Sequence, residues 1–269
     1  MGTVTSKDGT RIAFTNEGIG PPIILVTGGL DDGSENAPLA AELAHRFTVY
    51  NYARRGRADS GDTLPYAVER EIEDIGALIA EAGGHAHLYG VSSGGALALE
   101  AAAAGLPIDM IATYEVPYSI GDDAALFWRE YVKKLQPALA AGRRGEALEL
   151  FMRVAGSSDD DIAGAKSSPY WPGMEALAHT LPYDAACLGD GLPPTDRFAR
   201  IEQPTLVLTG GRDEFFERAS DAIAAILPRA ERRIMDGQGH VVDAKALAVV
   251  LEGFLDADAA MTMPRSRAT

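Results

Sequence analysis

Short runs of aliphatic and β-branched residues alternate along this chain with stretches whose apolar positions recur every three or four residues. Residues 4–5 and 11–14 flank the turn pair Asp8-Gly9 and predict an opening hairpin. Residues 23–27 and 48–52 then read as strands, with a helical stretch at 37–45 between them. Ile72, Ile75, Leu78 and Ile79 fall on one face of a helix over 68–81, and 86–91 reads as a buried strand. A helical run at 96–104 and a strand-like run at 108–114 follow. Strand, helix and strand repeated in this way predict an α/β fold with a doubly wound, mostly parallel sheet covered on both faces.

The rhythm breaks after about residue 118. Residues 126–139 and 145–154 look helical, 156–161 reads as a solvated Ser/Asp loop, and Tyr170-Trp171-Pro172 forms an aromatic cluster with no strand nearby. Strands return at 205–209 and 230–235, with helical runs at 217–227 and 242–255. The expected organisation is a discontinuous core of residues 1–117 and 198–257 interrupted by a helical insertion at 118–197. Residues 258–269 show no periodicity and are expected to form a disordered tail.

Charge narrows the partners. Lys and Arg number 24 against 39 Asp and Glu, a formal charge of −15, and such a field repels nucleic acid and anionic membrane surfaces. No apolar stretch approaches the roughly 20 residues that span a bilayer. The myristoylation-like Met1-Gly2 and Ser6 match too little to count without a second lipid signal. The single cysteine, Cys187, cannot form an intramolecular disulfide, and no leader-like segment precedes the first long strand. These features lead us to expect a soluble cytoplasmic protein acting on a small molecule, and leave a homodimer open.

The chemistry concentrates at "LYGVSSGGALALEAAAAG", residues 88–105, where Gly90 and Gly94 flank Ser92 at a change from strand to helix. G-x-S-x-G in that context sets a serine on a strained turn at the carboxyl edge of a sheet. The N–H of Ser93, opening the helix, is a candidate oxyanion donor. "LVTGG" places a second donor at Gly29, with Leu30 as a neighbouring candidate. A serine needs a base and a carboxylate in the order Ser, acid, His. His240, in "MDGQGHVVD", and Asp213, in "LVLTGGRDEFF", each follow a predicted strand in that order. Glu115, after the strand at 108–114, is a second candidate acid, although hydrogen bonding at the insertion's entrance is the favoured reading for it. Arg54, Arg55 and Arg57 read as solvated or loop-bracing residues before anion binders. Phe127, Trp128, Tyr131, Tyr170 and Trp171 are candidates to roof an apolar pocket, although aromatic residues at helical spacing more often form the insertion's own core. No cysteine or histidine stands at ligand spacing from Cys187, so no metal is expected.

Together these motifs resemble the α/β-hydrolase-fold serine hydrolases over almost the whole chain. "YARRGRADSGD", residues 52–62, resembles that family's D-x-R-G-x-G-x-S segment, and the insertion resembles its helical cap. The resemblance implies an esterase-like enzyme that cleaves an ester, lactone or thioester through a Ser92 acyl-enzyme, with no cofactor, while the high Ala, Gly and Asp content resembles that of bacterial proteins. The same scaffold also serves lyases, cyclases and isomerases, and a binding-only pseudoenzyme is a third reading. Three positions depart from the family pattern. Thr27 stands where many members have the His of an H-G-x oxyanion loop, Ala53 replaces an Asp, and Ala58 replaces a Gly. The oxyanion loop must therefore be supported by other hydrogen bonds.

Overall fold

A computed structural model describes residues 1–262 of the chain. Eight strands form one sheet: β1 (Gly2–Thr5), β2 (Arg11–Glu17), β3 (Pro22–Val26), β4 (Thr48–Tyr52), β5 (Ala86–Val91), β6 (Ile108–Tyr114), β7 (Thr205–Gly211) and β8 (Ala230–Gln238). Their spatial order is β1-β2-β4-β3-β5-β6-β7-β8. The opening hairpin pairs Val4 with Ile12, and β2 runs antiparallel to β4. From β4 to β8 every pairing is parallel.

Both faces of the sheet are buried, which is why its central strands read as unbroken aliphatic runs. Along β3, Ile24 and Val26 point into one core with Leu88, Ile111, Ile75 and Leu78. Ile23 and Leu25 point into the other, with Tyr89, Leu206, Leu39 and Leu251. The first core is closed by α2 (Val68–Glu81), whose buried Ile75, Leu78 and Ile79 are those that the helical spacing singled out, and by α3 (Ser93–Ala103). The second is closed by α1 (Ala37–Leu43) and the final helix, α11 (Ala244–Thr262).

Between β6 and β7 the chain is helical among the described residues: α4 (Asp122–Ala140), α5 (Arg144–Val154), α6 (Asp159–Lys166), α7 (Trp171–Leu177), α8 (Leu181–Leu188) and α9 (Thr195–Phe198). Two expectations are corrected here. Asp159, Asp160 and Asp161 open α6 and are not a loop. The Ser158 side chain accepts from the Asp161 N–H while the Asp161 carboxylate accepts from the Ser158 N–H, a reciprocal cap that satisfies two free amides. Residues 258–262 of the expected tail are helical, because α11 continues to Thr262. Residues 263–269 of that expected tail lie outside the described residues. Between β7 and β8 lies α10 (Glu214–Ile226).

Candidate active site

Ser92 sits between β5 and α3 with φ 55 and ψ −129, a conformation that L-residues avoid. The flanking glycines explain how the turn is made. A Cβ on Gly90 would lie 2.4 Å from the Gly94 carbonyl oxygen, and one on Gly94 would lie 2.3 Å from the oxygens of Val26 and Thr27. Strand, turn and helix therefore close to a distance that only glycine permits. The loop after β3 lies opposite: a Cβ on Gly28 would be 3.1 Å from Cβ and 3.7 Å from Oγ of Ser92.

Four non-glycine residues have positive φ among the described residues: Leu30, Ala58, Ser92 and Glu115. Leu30, Ser92 and Glu115 follow the carboxyl ends of β3, β5 and β6, three neighbouring strands. Backbone strain of this kind costs about 1–3 kcal/mol per residue and persists where surrounding structure enforces it, often at functional sites.

His240 follows β8, and its Nδ1 lies 2.7 Å from Oε2 of Glu115, whose side chain is 2% exposed. The other carboxylate oxygen, Oε1, accepts the Gly210 N–H at 2.9 Å. Glu115 thus starts from β6, crosses the end of β7 and meets the histidine beyond β8. Gly210 lets these strand ends come together, since a Cβ there would lie 2.3 Å from the Gln238 oxygen and 2.7 Å from the Tyr114 hydroxyl. The Tyr114 hydroxyl donates to the Gly239 carbonyl at 2.6 Å, and the Phe216 ring stacks on the imidazole at 4.8 Å. The imidazole is held by Glu115 and Phe216 while its side chain stays 46% exposed.

Asp213 is not the partner of His240 in this arrangement. Its carboxylate accepts the Phe215 N–H at 2.8 Å and caps the N-terminus of α10. The physical reason is local: an aspartate directly before an amphipathic helix satisfies one of the helix's free amides. Glu214 is the first residue of the same helix.

The loop after β3, which has no histidine at position 27, is held by arginines instead. Arg57 Nη1 donates to the carbonyls of Gly28 and Asp31, and Arg54 Nη1 to that of Thr27. Arg54, Arg55 and Arg57 are all buried, and each is paired. Arg54 makes a two-pronged bond to Glu71, Arg55 another to Asp74, and both Arg54 and Arg57 reach Asp184 on α8. They brace the loops and are not solvated, so of the two roles expected for them only bracing holds. Burial by itself would push Asp184 up, but the Arg57 and Arg54 guanidiniums and the Ser93 hydroxyl override it and hold the carboxyl below the usual carboxylate range.

The remaining candidates divide. Leu30 is half-buried against the core and keeps its strained backbone beside Gly29. Tyr131 is buried, and its hydroxyl is raised by burial and by the field of Asp184. Trp128 is taken up by the insertion's own packing: its indole N–H donates to the Gly189 carbonyl, and its ring lies against Tyr131 and Gly191. Trp171, at the start of α7, faces Gly145 of α5. Cys187 is buried, and burial pushes its thiol up to about 12, so it stays protonated.

Sequence reasoning passed over Asp184, Phe216 and Gly210. Nothing in "LPYDAACL" marks Asp184 as functional, because its partners come from segments about 90 to 130 residues away. Among the described residues no three His, Cys, Asp or Glu side chains are placed to hold a metal ion, and no helix is long and apolar enough to cross a membrane.

Comparison with known proteins agrees with this architecture. Residues 23–252 match the model of the alpha/beta hydrolase family, and the chain belongs to that family. It is similar to an alpha/beta hydrolase from Sphaerobacter thermophilus DSM 20745, with 48% identity, a TM-score of 0.87, and coverage of 94% of this chain and 100% of that one. An enol-lactonase from Burkholderia xenovorans LB400 shares the fold at 21% identity and TM-score 0.71, covering 95% of this chain and 100% of that one. An uncharacterized hydrolase of Bacillus subtilis (strain 168), YraK, is 34% identical over 96 residues, a match that spans 34% of this chain and 35% of that relative's length.

Proposed function

We propose that this protein is a serine hydrolase cleaving an ester, lactone or thioester of a small molecule, with Ser92 as nucleophile, His240 as base and Glu115 as the acid. The observation that carries the reading is the buried Glu115 carboxylate on His240 Nδ1, on the same sheet edge as the strained Ser92 turn. A carboxylate on Nδ1 fixes the tautomer that leaves Nε2 free to accept a proton, and stabilises the imidazolium that results. Ser92 Oγ attacks the substrate carbonyl carbon and gives its proton to His240 Nε2. The carbonyl oxygen becomes an oxyanion facing the N–H groups of Gly29 and Ser93. As the tetrahedral species collapses, the bond to the leaving oxygen or sulfur breaks and His240 returns the proton to it. Water then adds to the acyl carbon, again losing a proton to His240, and the Ser92–acyl bond breaks as His240 returns that proton to Ser92 Oγ, releasing the acid. This cycle needs no cofactor.

The test is a fluorophosphonate probe with the adduct located by peptide mass spectrometry, alongside turnover of p-nitrophenyl acetate and butyrate. A single adduct on Ser92, lost in Ser92→Ala, with turnover strongly slowed in His240→Ala, is the expected result. Labelling without turnover of any ester would favour the non-hydrolytic chemistry of the same scaffold, and no labelling would overturn the reading.

A further inference from the structure

Resting on that reading, we infer that Asp184, carried by the insertion, is the positioning residue of the oxyanion hole and joins its two halves through one carboxylate oxygen. Asp184 Oδ1 accepts the Ser93 hydroxyl at 2.7 Å, Arg54 Nη1 at 2.7 Å and Arg57 Nη2 at 2.8 Å. Ser93 supplies the N–H donor at the start of α3. Arg57 passes the same anchorage to the other side, since its Nη1 holds the Gly28 and Asp31 carbonyls that bracket Gly29. Arg54 adds the Thr27 carbonyl. Asp184 also abuts Gly29 directly: a Cβ on Gly29 would lie 3.3 Å from Oδ2.

The arrangement answers two questions together. It shows what replaces the histidine absent at position 27, and why charged groups this deeply buried are kept when packed aliphatics would serve stability as well. The insertion itself is fastened to the core around this point. Tyr183, beside Asp184, stacks on Tyr66 at 3.9 Å and donates to Asp62 at 2.7 Å. With α8 docked, the spacing between the Gly29 and Ser93 amides is set by a carboxylate held from both loops. Preorganised donors act on the charge that develops in the transition state, so a loosened hole lowers kcat more than it raises KM.

The experiment compares wild type with Asp184→Asn and Ser93→Ala, the second of which keeps the backbone N–H but removes one link to Asp184. Functional sites are first counted by saturating fluorophosphonate labelling of Ser92. Then kcat and KM for p-nitrophenyl butyrate are measured per site, with Ki for an alkyl trifluoromethyl ketone and for the matching trifluoromethyl carbinol. The ketone adds Ser92 and places an oxyanion in the hole; the carbinol fills the pocket without one. Asp184→Asn is expected to lower kcat per site about tenfold or more. Ser93→Ala is expected to lower it at least about twofold. KM should hold nearly constant, and Ki for the ketone should rise in step with the kinetic loss while Ki for the carbinol does not. A merely structural role would reduce the site count, or weaken ketone and carbinol alike, and either result overturns the inference. If Asp184→Asn does not fold, Ser93→Ala decides: unchanged kcat per site and unchanged ketone affinity refute it. A wild type that neither labels at Ser92 nor turns over ester overturns the proposed function and this inference with it, whereas an active wild type with both variants unaffected overturns this inference alone.

Discussion

Nδ1 of His240 and Oε2 of Glu115 stand 2.7 Å apart, with the carboxylate buried and the histidine reaching toward solvent. This pairing separates two acids that the chain order alone treats as rivals. Glu115→Gln keeps the shape of the side chain but removes the charge that favours the imidazolium. Its expected effect is a fall in kcat of about 10²–10⁴-fold, the range seen when such an acid is neutralised or a general base is disabled. Asp213→Ala is expected to leave kcat within about threefold and to cost about 1 kcal/mol of stability through loss of the α10 cap. Steady-state kinetics on both variants, with urea unfolding alongside, checks this. A large kcat loss in Asp213→Ala with Glu115→Gln active would reverse the assignment.

Much of the sheet was legible in the chain because its strands are buried on both faces and announce themselves as aliphatic runs. Residues 48–52, 86–91 and 108–114 are read with their observed bounds for that reason. Ser92, Gly90 and Gly94 were equally legible, since close backbone approach admits only glycine there. The acid was not. The place of Asp213 just past a predicted strand drew the reading to it, while the route of Glu115 across Gly210 depends on how the ends of β6, β7 and β8 lie side by side, which sequence spacing does not express. A cue was nevertheless present: an aspartate immediately before an amphipathic helix is an N-cap signal, and that signal competes with a catalytic reading. The short helices α6 and α8 escaped for a different reason, being too short for a clear apolar period.

Ala58 has φ 44, in the left-handed region where its methyl group crowds the following carbonyl. The family pattern that this segment resembles has glycine here, and Ala58 lies away from the strand ends that carry Leu30, Ser92 and Glu115. Ala58→Gly relieves the clash but frees the unfolded chain, so the net gain is expected at about 0.5–1 kcal/mol. Urea unfolding should show a higher midpoint with an unchanged slope, and unchanged ester turnover per site. A lower midpoint would show that the methyl group contributes packing greater than its strain.

Arg55 tests whether buried ion pairs here behave differently from surface ones. Its side chain is 0% exposed and pairs with Asp74 and Asp8, while Arg143 and Glu146 form a pair about half exposed on α5. Burial pushes the Asp74 carboxyl up, against the hydrogen bond from Arg55 that pulls it down. Arg55→Met leaves that carboxylate without its cation and is expected to cost about 3–5 kcal/mol. Arg143→Met is expected to change stability by no more than about 1 kcal/mol. Chemical denaturation of the two variants should differ by several fold in ΔΔG, and equal losses would refute the distinction.

Asp8 closes the opening hairpin and gives the fold a measurable response to acid. Burial by itself would raise its pKa, but the hydrogen bond from Arg55 and that from the Thr10 N–H override it and lower the carboxyl to about 2. The unfolded chain titrates near the ordinary aspartate value of about 3.9. Below that value the unfolded state binds a proton that the folded state refuses, so folding loses stability as pH falls. The contribution of Asp8 is therefore complete above about pH 4 and disappears as pH falls through about 2. Asp8→Asn cannot titrate and lacks this contribution throughout. The difference in urea midpoint between wild type and Asp8→Asn is expected to be constant from pH 7 to pH 5 and to shrink steadily from pH 4 toward pH 2. A difference that is independent of pH would show that the neutral hydrogen bonds, and not the charge, hold the hairpin turn against Arg55.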